Sequence, residues 1–469
     1  MIMKTNCIIK TLPKLAAVIV LSGWAMAPAQ EPAANPVRRR PDATTPNSPE
    51  APLPATRRGG APIDPQPSTG RRASTSSDPQ PASPSVTSAF QPGAEKIVDY
   101  ADPTYGGKIR QLQKDDGHEH NFYYYREPWN SDGSYLLGVQ SDLEQKNWHV
   151  VLHDGDGKFI KDLFTIDQYD WRLCWDRKDP DVLYTWKGYD LFRFHVKEGK
   201  AELMKSFKPL ALMVSGPSVN QDGDRILVAT SDKTFRSFHL PDMSDERTFQ
   251  PQIPEGTVMI GWDKPRFTGY RNTVDVAFHS QDMRTQGVLV YEDTGKLVHR
   301  FDGFGGGGHC AFSPDGHVTY FFMPNYPRTD GKNSLDIHVV KLDGSDDRVV
   351  FSVPQSQATY VQNLHLSWPA KVNGWFLASF FHFPNAQQPA YAPPFDEILQ
   401  IHLDGKFKYL ARSGANYSRG AGRGSSTDMF WAMPLAAPQA DGKRISFNTN
   451  RSGTVDQCII FLDSAVIHP

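Results

Sequence analysis

The stretch HVVLHDGDGKFIKDLF, residues 149–164, joins two runs of alternating apolar side chains through an Asp/Gly turn. Alternation on both sides of such a turn predicts a β-hairpin. Hairpins of this form recur at intervals of roughly forty to sixty residues, which is the period of four-stranded propeller blades. The recurrences are LFRFHVKEGKAELMKSF from Leu191, FRSFHLPDMSDERTF from Phe235, GVLVYEDTGKLVHRF from Gly287, DIHVVKLDGSDDRVVF from Asp336 and EILQIHLDGKFKYLA from Glu397.

A second turn signal stays in phase with these hairpins. An Asp-Gly pair marks the earlier half of four units, in NSDG at 130–133, NQDG at 220–223, SPDG at 313–316 and ADG at 440–442. Two turn signals in a constant relation indicate true repetition, and no sustained helical period interrupts them. The sequence therefore predicts an all-β fold, a seven-bladed β-propeller spanning residues 96–469.

The last unit is incomplete, because CIIFLD from Cys458 is followed only by SAVIHP. An open ring would leave unpaired strand edges. The alternating run KIRQLQ, residues 108–113, precedes the first complete unit and can supply the missing outer strand. We therefore expect an N-terminal strand to close the last blade.

The N-terminal residues have a different composition. Three lysines, Lys4, Lys10 and Lys14, precede the apolar run 15–23 and then small residues, which predicts a signal peptide over residues 1–29. Residues 30–95 are rich in Pro, Ala, Ser and Arg and are predicted to form a disordered linker. No later stretch approaches the length of a transmembrane segment, so none is expected. These features predict a periplasmic or secreted protein.

The balance of charges excludes one class of partner. The 50 basic and 52 acidic residues create no global field that would attract nucleic acid, so no nucleic-acid partner is expected. A charged ligand must instead be bound by a local cluster.

Three cysteines, Cys174, Cys310 and Cys458, follow the predicted signal peptide, so at most one disulfide can form. The alternative is that they are buried packing residues of strands.

Histidines occur at the start of several units. The first strand of each blade lines the central channel, so residues that begin these strands should converge at one mouth. His118 and His120 begin the first unit, His309 the fifth and His365 the sixth. Neutral imidazoles from several blades could hold a divalent metal ion (Mn, Ca or Zn), with Gln362 or Asn363 assisting. Hydrogen-bonded channel histidines without a ligand are the alternative.

The chain resembles a known group of propellers. The SPDG turn at Ser313, the ending SFNTNRSGTVDQCIIFLD from Ser446 and the Asp-Gly hairpins resemble TolB-type and WD40-like propellers. That group includes oligogalacturonate lyases and is architecturally similar to ulvan lyases. Resemblance to the oligogalacturonate lyases implies a metal bound by several His and a Gln, for which His309, Gln362 and His365 are the candidates here.

The same mouth could support β-elimination on a uronic-acid polysaccharide or oligosaccharide. Removing the proton next to a carboxylate requires a base, and it also requires a cation that neutralises the carboxylate. The predicted catalytic residues are His118, His120, Tyr124 and Arg172. The predicted ligand-binding residues are Arg126, Trp171, Asn363 and Trp431.

Two other interpretations remain open. Propellers host enzymes, adaptors and sugar binders alike, so the chain could be a noncatalytic propeller that docks a protein or a cell-envelope component. The aromatic residues Trp171, Tyr124 and Trp431 could stack on sugar rings without any catalysis, or they could simply fill the channel.

Overall fold

The computed structural model describes residues 90–166, 173–213, 216–260, 266–280, 285–303, 309–322, 336–353, 363–381, 394–415 and 429–462. These residues all belong to one compact unit, Pro84–Pro469. The predicted signal peptide and residues 30–89 of the predicted linker lie outside the described residues. In the described part, the only helical element is a single 3-10 turn, Met429–Ala432, and no helix there could cross a membrane.

The predicted all-β, seven-bladed propeller is confirmed. Six blades are four-stranded antiparallel sheets whose strands follow one another in sequence from the channel outward. Blades 1 to 3 contain β3 (Gly117–His120), β4 (Tyr135–Asp142), β5 (Trp148–Asp154) and β6 (Phe159–Ile166); β7 (Cys174–Trp175), β8 (Val182–Lys187), β9 (Asp190–His195) and β10 (Lys200–Ser206); and β11 (Ser218–Val219), β12 (Arg225–Ala229), β13 (Phe235–His239) and β14 (Arg247–Phe249).

The remaining strands complete the ring. Blades 4 to 6 contain β15 (Thr257–Ile260), β16 (Thr273–Ser280), β17 (Gln286–Glu292) and β18 (Leu297–Asp302); β19 (Ala311–Phe312), β20 (His317–Tyr320), β21 (Ile337–Lys341) and β22 (Arg348–Phe351); and β23 (Asn363–Ser367), β24 (Trp375–Phe381), β25 (Glu397–His402) and β26 (Phe407–Arg412). Blade 7 contains β27 (Ala437–Pro438), β28 (Arg444–Thr449) and β29 (Asp456–Phe461), together with two strands from the N-terminal side, β1 (Lys96–Ala101) and β2 (Lys108–Gln113).

The N-terminal strand β2 closes the ring, as its sequence predicted. It pairs antiparallel with β29 from Lys108 opposite Phe461 to Leu112 opposite Gln457. The strand β1 adds a fifth, outermost strand, which the sequence analysis did not identify. Pairing with β1 and β29 satisfies backbone groups along both edges of β2, which would otherwise be open to another strand.

Side chains on the two faces of β2 pack against different blades. Leu112 is fully buried with Trp129 and Leu136 of blade 1, whereas Ile109 packs in the cluster that contains Trp375 of blade 6. Gly157, at the blade 1 hairpin turn, has a φ of 94°, and a Cβ added there would lie 2.8 Å from a methyl carbon of Leu112. Glycine therefore meets both the conformational and the spatial requirement of this turn.

The repeated Asn-containing turns link neighbouring blades. The side-chain amide of Asn130 donates to the carbonyl of Pro180 in blade 2 at 2.8 Å. In the same way, Asn220 of blade 3 donates to the side chain of Asn272 in blade 4 at 2.6 Å. The turn residues recognised in the sequence thus also fix the spacing of successive blades.

The three described cysteines are free thiols. Cys310 and Cys458 are buried, and Cys174 is half-buried. Burial raises the pKa of Cys174 and of Cys310 to about 12, so both remain protonated. The structure therefore favours the interpretation that these cysteines are packing residues of strands.

Residues before β1 pack on blade 1. Phe90 lies 6.0 Å from His149, centroid to centroid, and the backbone N–H of Gly93 donates to Gln140 at 3.1 Å. The Glu95 side chain is almost completely buried beside Glu119. Burial raises the pKa of Glu95 to about 9 and that of Glu119 to about 7. Ordered contacts with the propeller thus begin six residues before the predicted boundary at residue 96.

The packing of Leu112 predicts how much the closing strand β2 contributes to stability. Leu112→Ala should lower the free energy of unfolding by about 3 kcal/mol, because it leaves a cavity between blades 7 and 1. Urea denaturation followed by tryptophan fluorescence measures this change. Ile97→Ala on β1 is the control, since Ile97 is 40% exposed and should change stability by about 0.5 kcal/mol or less. Equal effects of the two substitutions would contradict the role given to β2.

Candidate functional site

The chain segment 121–126 leaves β3 and crosses the central channel. Asn121 anchors it. Its backbone N–H donates to the Asn448 side-chain oxygen at 2.9 Å, and its side-chain amide donates to the Leu435 carbonyl at 2.9 Å. The Asn121 side-chain oxygen accepts from the Tyr123 backbone N–H at 3.2 Å. Tyr123 has a φ of 108°, a conformation rare for any residue with a side chain. Such backbone strain persists only where surrounding contacts enforce it.

Two tyrosines of this segment meet two histidines from other blades. His309, which precedes β19 in blade 5, and His365, on β23 in blade 6, have ring centroids 4.5 Å apart. Tyr124 stacks on His365 at 4.4 Å and lies 5.7 Å from His309. The Tyr123 hydroxyl is 3.4 Å from His365 Nε2. The structure therefore brings the predicted residues Tyr124, His309 and His365 together. We call Tyr123, Tyr124, His309 and His365 the Tyr–His cluster.

Neighbouring groups orient the two imidazoles. His309 Nδ1 lies 3.2 Å from the Leu364 carbonyl, and a proton on Nδ1 places the ring's lone pair on Nε2. His365 is held between Tyr124 and Phe381, whose ring is stacked on it at 5.0 Å. A backbone carbonyl on the second ring nitrogen, as at His309, is typical of histidines that bind a metal ion.

Burial determines the protonation state of Tyr124. The side chain is 2% exposed, and burial raises the pKa of Tyr124 well above its ordinary value, although the nearby Arg266 guanidinium acts in the opposite direction. Tyr124 is therefore a neutral phenol. Its contacts suit it to position His365 better than to accept a proton.

His120 and Trp431 form a separate stacked pair. Their ring centroids are 3.8 Å apart and the planes differ by 7°, and Trp148 meets the edge of the imidazole at 5.3 Å. His120 Nδ1 donates to the Asn121 carbonyl at 2.7 Å. Burial lowers the pKa of His120 to about 3, so the imidazole is neutral at physiological pH. Trp431 also lies 6.4 Å from Tyr123, which connects this pair to the Tyr–His cluster.

His118 has different neighbours. Its Nδ1 accepts from the backbone N–H of Val455 at 2.9 Å, and its Nε2 donates to the Leu143 carbonyl at 3.2 Å. Both ring nitrogens are thus bonded to backbone groups of the blade 1 and blade 7 loops. Burial lowers the pKa of His118. The structure places His118 in these loop contacts and brings His309 and His365, its predicted partners, to the Tyr–His cluster.

Several predicted site residues fall outside the part of the chain that the structure describes. Trp171, Arg172 and Gln362 lie outside the described residues, and of Asn363 only the backbone is described, where it pairs with Phe381. The predicted roles of these residues stay predictions.

Two arginines flank Tyr125 beside the channel cavity. The Arg126 guanidinium carbon lies 5.5 Å from the Tyr125 ring centroid, and that of Arg266 lies 5.0 Å from it. Arg126 donates to the Pro217 carbonyl at 2.9 Å, while Arg266 forms two 2.7 Å hydrogen bonds with Asp275. The cavity has a volume of about 950 Å3 including its open end, and Tyr124, Arg126 and Arg266 all line it.

Sequence reasoning missed Arg266 and the part played by Tyr123. Arg266 belongs to no local motif, and its only signal was its position just before the Thr268–Thr273 turn of blade 4. Tyr123 is the first residue of the run YYY at 123–125, but its hydroxyl contact depends on a backbone conformation supported by Asn121 and Asn448. Such a conformation cannot be read from the residue types alone.

Two places in the described residues suit a metal ion. The imidazoles of His309 and His365 offer nitrogen ligands, which favour zinc and related transition metals over calcium. Glu95, Glu119 and His153 offer ligand atoms that all lie within 4.8 Å of one another. The two places use different residues, and only the first belongs to the Tyr–His cluster.

The sequence matches no family model and no curated protein. Among solved structures, an oligogalacturonate lyase in complex with manganese is similar at a TM-score of 0.55, with 14% identity over 80% of this chain and 98% of its own. An oligogalacturonate lyase from Vibrio parahaemolyticus has 12% identity, coverage of 79% and 98%, and a TM-score of 0.41. A chain of a mitotic checkpoint complex has 12% identity, coverage of 79% and 95%, and a TM-score of 0.44.

These similarities concern the fold. The first of the three supports the resemblance proposed from the sequence, since that structure is a propeller of the same class and is matched over nearly its whole length. At identities this low, the likeness extends to the seven-bladed architecture and leaves activity to be argued from the site.

The depressed pKa of His120 predicts a pH dependence of stability. In the unfolded chain this histidine has the ordinary pKa of about 6.5, whereas burial lowers its pKa to about 3 in the folded protein. The contribution of His120 to the free energy of unfolding is therefore fully present above pH 6.5. It decreases as the pH falls, and the loss reaches about 3 kcal/mol at pH 4. His120→Phe should flatten this slope by that amount, measured from urea midpoints at pH 7 and pH 4.

A surface histidine provides the control for this experiment. His239→Phe replaces a side chain that is 47% exposed, so the pH slope of that variant should equal the wild-type slope. A His120→Phe slope indistinguishable from wild type would show that His120 is not held neutral by burial.

Proposed function

We propose that this chain is an exported, carbohydrate-active propeller that cleaves uronic-acid-containing glycans by β-elimination at the Tyr–His cluster. One observation carries the proposal: His309 and His365, from neighbouring blades, meet at a centroid distance of 4.5 Å against Tyr123 and Tyr124 of blade 1. The fold likeness to a manganese-bound oligogalacturonate lyase adds support. Export rests on the residues of the predicted signal peptide.

The described residues provide two of the three proposed ligands of a divalent metal ion. His309 and His365 would hold it, and Gln362, which precedes His365 by three residues, is the proposed third ligand. When bound, the metal ion supplies positive charge that neutralises the substrate carboxylate and stabilises the charge that develops as the neighbouring proton leaves. The Leu364 carbonyl keeps His309 in the tautomer that such binding requires.

Tyr123 is the proposed proton acceptor, and it acts in this step as the phenolate, which the return of the proton to the leaving oxygen regenerates. Its hydroxyl lies beside His365, so a uronate held there would present its acidic carbon to the phenolic oxygen. The electrons of the broken C–H bond form the C=C double bond, and the bond from the next ring carbon to the glycosidic oxygen breaks. The leaving oxygen takes a proton, which Tyr123 is placed to return. Arg172 and Arg126 remain candidates for binding further carboxylates of the polymer.

The half-buried Phe430 supports a sugar-binding surface in the same place. Its ring is parallel to Tyr123 at 5.9 Å and perpendicular to Trp431 at 5.2 Å. Aromatic rings in this arrangement can stack on the apolar face of a sugar. A noncatalytic glycan-binding propeller is therefore the second candidate function, and it uses the same residues.

Incubation with polyuronates tests the proposal directly. Unsaturated product, followed by its ultraviolet absorbance with zinc or manganese supplied, should form with at least one polymer of a pectin, alginate and ulvan panel. His309→Ala, His365→Ala and Tyr123→Phe should each lower the rate by about 100-fold or more, because each removes a group that acts in proton transfer or charge neutralisation. Circular dichroism of each variant verifies that it is folded.

The exposed histidine again provides the matched control. His239→Ala should retain the wild-type rate, since its side chain forms a surface pair with Asp242 on the outer part of blade 3. Glycan binding without any product, retained in Tyr123→Phe, would overturn the lyase proposal and support the binding module. Absence of both binding and product would remove the carbohydrate proposal altogether.

A further inference from the structure

A second polar cluster lies inside blade 1, where the segment 90–95 packs on it. Glu119 is on β3, Gln140 on β4 and His153 on β5, and all three are buried. Glu95 reaches the same place from outside the blade, and its side chain is 1% exposed. The cluster thus joins three strands of one blade to a residue that precedes every strand of the propeller.

The Gln140 amide organises the two carboxylates. Its nitrogen lies within hydrogen-bonding distance of Glu119 Oε2 at 2.9 Å, of Glu95 Oε1 and of the Gly93 carbonyl, and its two hydrogens are shared among these three acceptors. One oxygen of each carboxylate is therefore held by the same amide. The other two oxygens face the imidazole of His153, with Glu119 Oε1 2.9 Å from Nε2 and Glu95 Oε2 3.6 Å from Nδ1.

These inward-facing atoms are buried without hydrogen bonds. In the described part of the protein, Glu119 Oε1 and both ring nitrogens of His153 have no hydrogen-bond partner, although they are removed from solvent. A buried polar atom without a partner costs about 1–3 kcal/mol, and a buried charge costs more. Two adjacent carboxylates also repel each other unless a cation or a proton lies between them. Either a proton shared by the carboxyl groups or a metal cation bound between the ligand atoms would offset this cost.

We propose that Glu95, Glu119 and His153 bind one divalent transition-metal ion, of which zinc is the representative. Carboxylate oxygen and imidazole nitrogen are common zinc ligands. Ligand atoms that share a zinc ion lie about 3–4 Å apart, since each is about 2.1 Å from the metal. The observed atoms all lie within 4.8 Å of one another, so small side-chain shifts, including a slight separation of Glu119 Oε1 from His153 Nε2, would bring them to that spacing. Gln140 orients both carboxylates, as outer-shell partners of metal ligands do.

The position of the ligands gives this ion a structural role. Glu95 belongs to the segment that enters the propeller, whereas Glu119 and His153 belong to β3 and β5 of blade 1. An ion bound by all three fastens that segment to the blade beside the closing blade. This site shares no ligand with the Tyr–His cluster, and the inference does not rest on the proposed function.

Zinc content and hydrogen exchange test the inference on the full chain. After chelation and dialysis, zinc titration followed by elemental analysis should show one equivalent per chain that is lost in Glu119→Gln and in His153→Gln. Gln140→Leu keeps all three ligands but should weaken zinc affinity about 10- to 100-fold. In the wild type, zinc should slow amide exchange in residues 90–101, a readout that needs no variant.

Two controls separate this site from its surroundings. His149→Gln changes a neighbouring histidine on β5 that pairs with Asp162, and it should keep the zinc. His365→Ala should also keep this equivalent, even if it loses metal at the Tyr–His cluster. Zinc content that is unchanged by Glu119→Gln and His153→Gln, or exchange in residues 90–101 that is unaffected by zinc, would overturn the inference and assign the cluster to carboxyls that share a proton.

Discussion

The structure depends on the pairing of β2 with β29, since that ladder turns an open row of blades into a ring. The strand comes from the N-terminal side of the propeller and pairs with the last strand of the chain, from Lys108 to Leu112. It also carries Leu112 to blade 1 and Ile109 to blade 6, so one strand supplies packing to both neighbours of the closing blade. Circular closure removes the exposed edges that an open array of sheets would retain.

Closure of the ring also explains why polar and aromatic side chains from different blades meet at the channel. Closure of the ring makes residues from distant parts of the chain neighbours at the channel. The Tyr–His cluster combines residues from blades 1, 5 and 6, which are separated by up to 242 positions in sequence. The aromatic packing around His365 then excludes water and fixes the ring, which electrostatic chemistry at this place would require.

Much of the fold could be predicted because its signals are local and repeated. The hairpins at residues 149–164 and their recurrences, the Asp-Gly turns and the closing strand all follow from alternation and turn chemistry. The convergence of His309 and His365 followed from the geometry of blades. The β1 strand, the contact of Tyr123 with His365 and the burial of Glu95 could not be predicted, because each depends on a long-range partner. His118 shows the converse: its spacing from His120 suggested a shared site, yet backbone groups of Leu143 and Val455 engage its ring.

The side-chain amide of Asn448 links the junction between the first and last blades to the Tyr–His cluster. This residue belongs to β28 of the closing blade, yet it bonds Asn121, which in turn holds the strained backbone of Tyr123. A fluctuation that separates the first and last blades breaks the hydrogen bonds between Asn448 and Asn121. The backbone of Tyr123 can then relax to an ordinary conformation. Local opening between the first and last blades and loss of the geometry of the Tyr–His cluster are therefore expected to occur in one cooperative event.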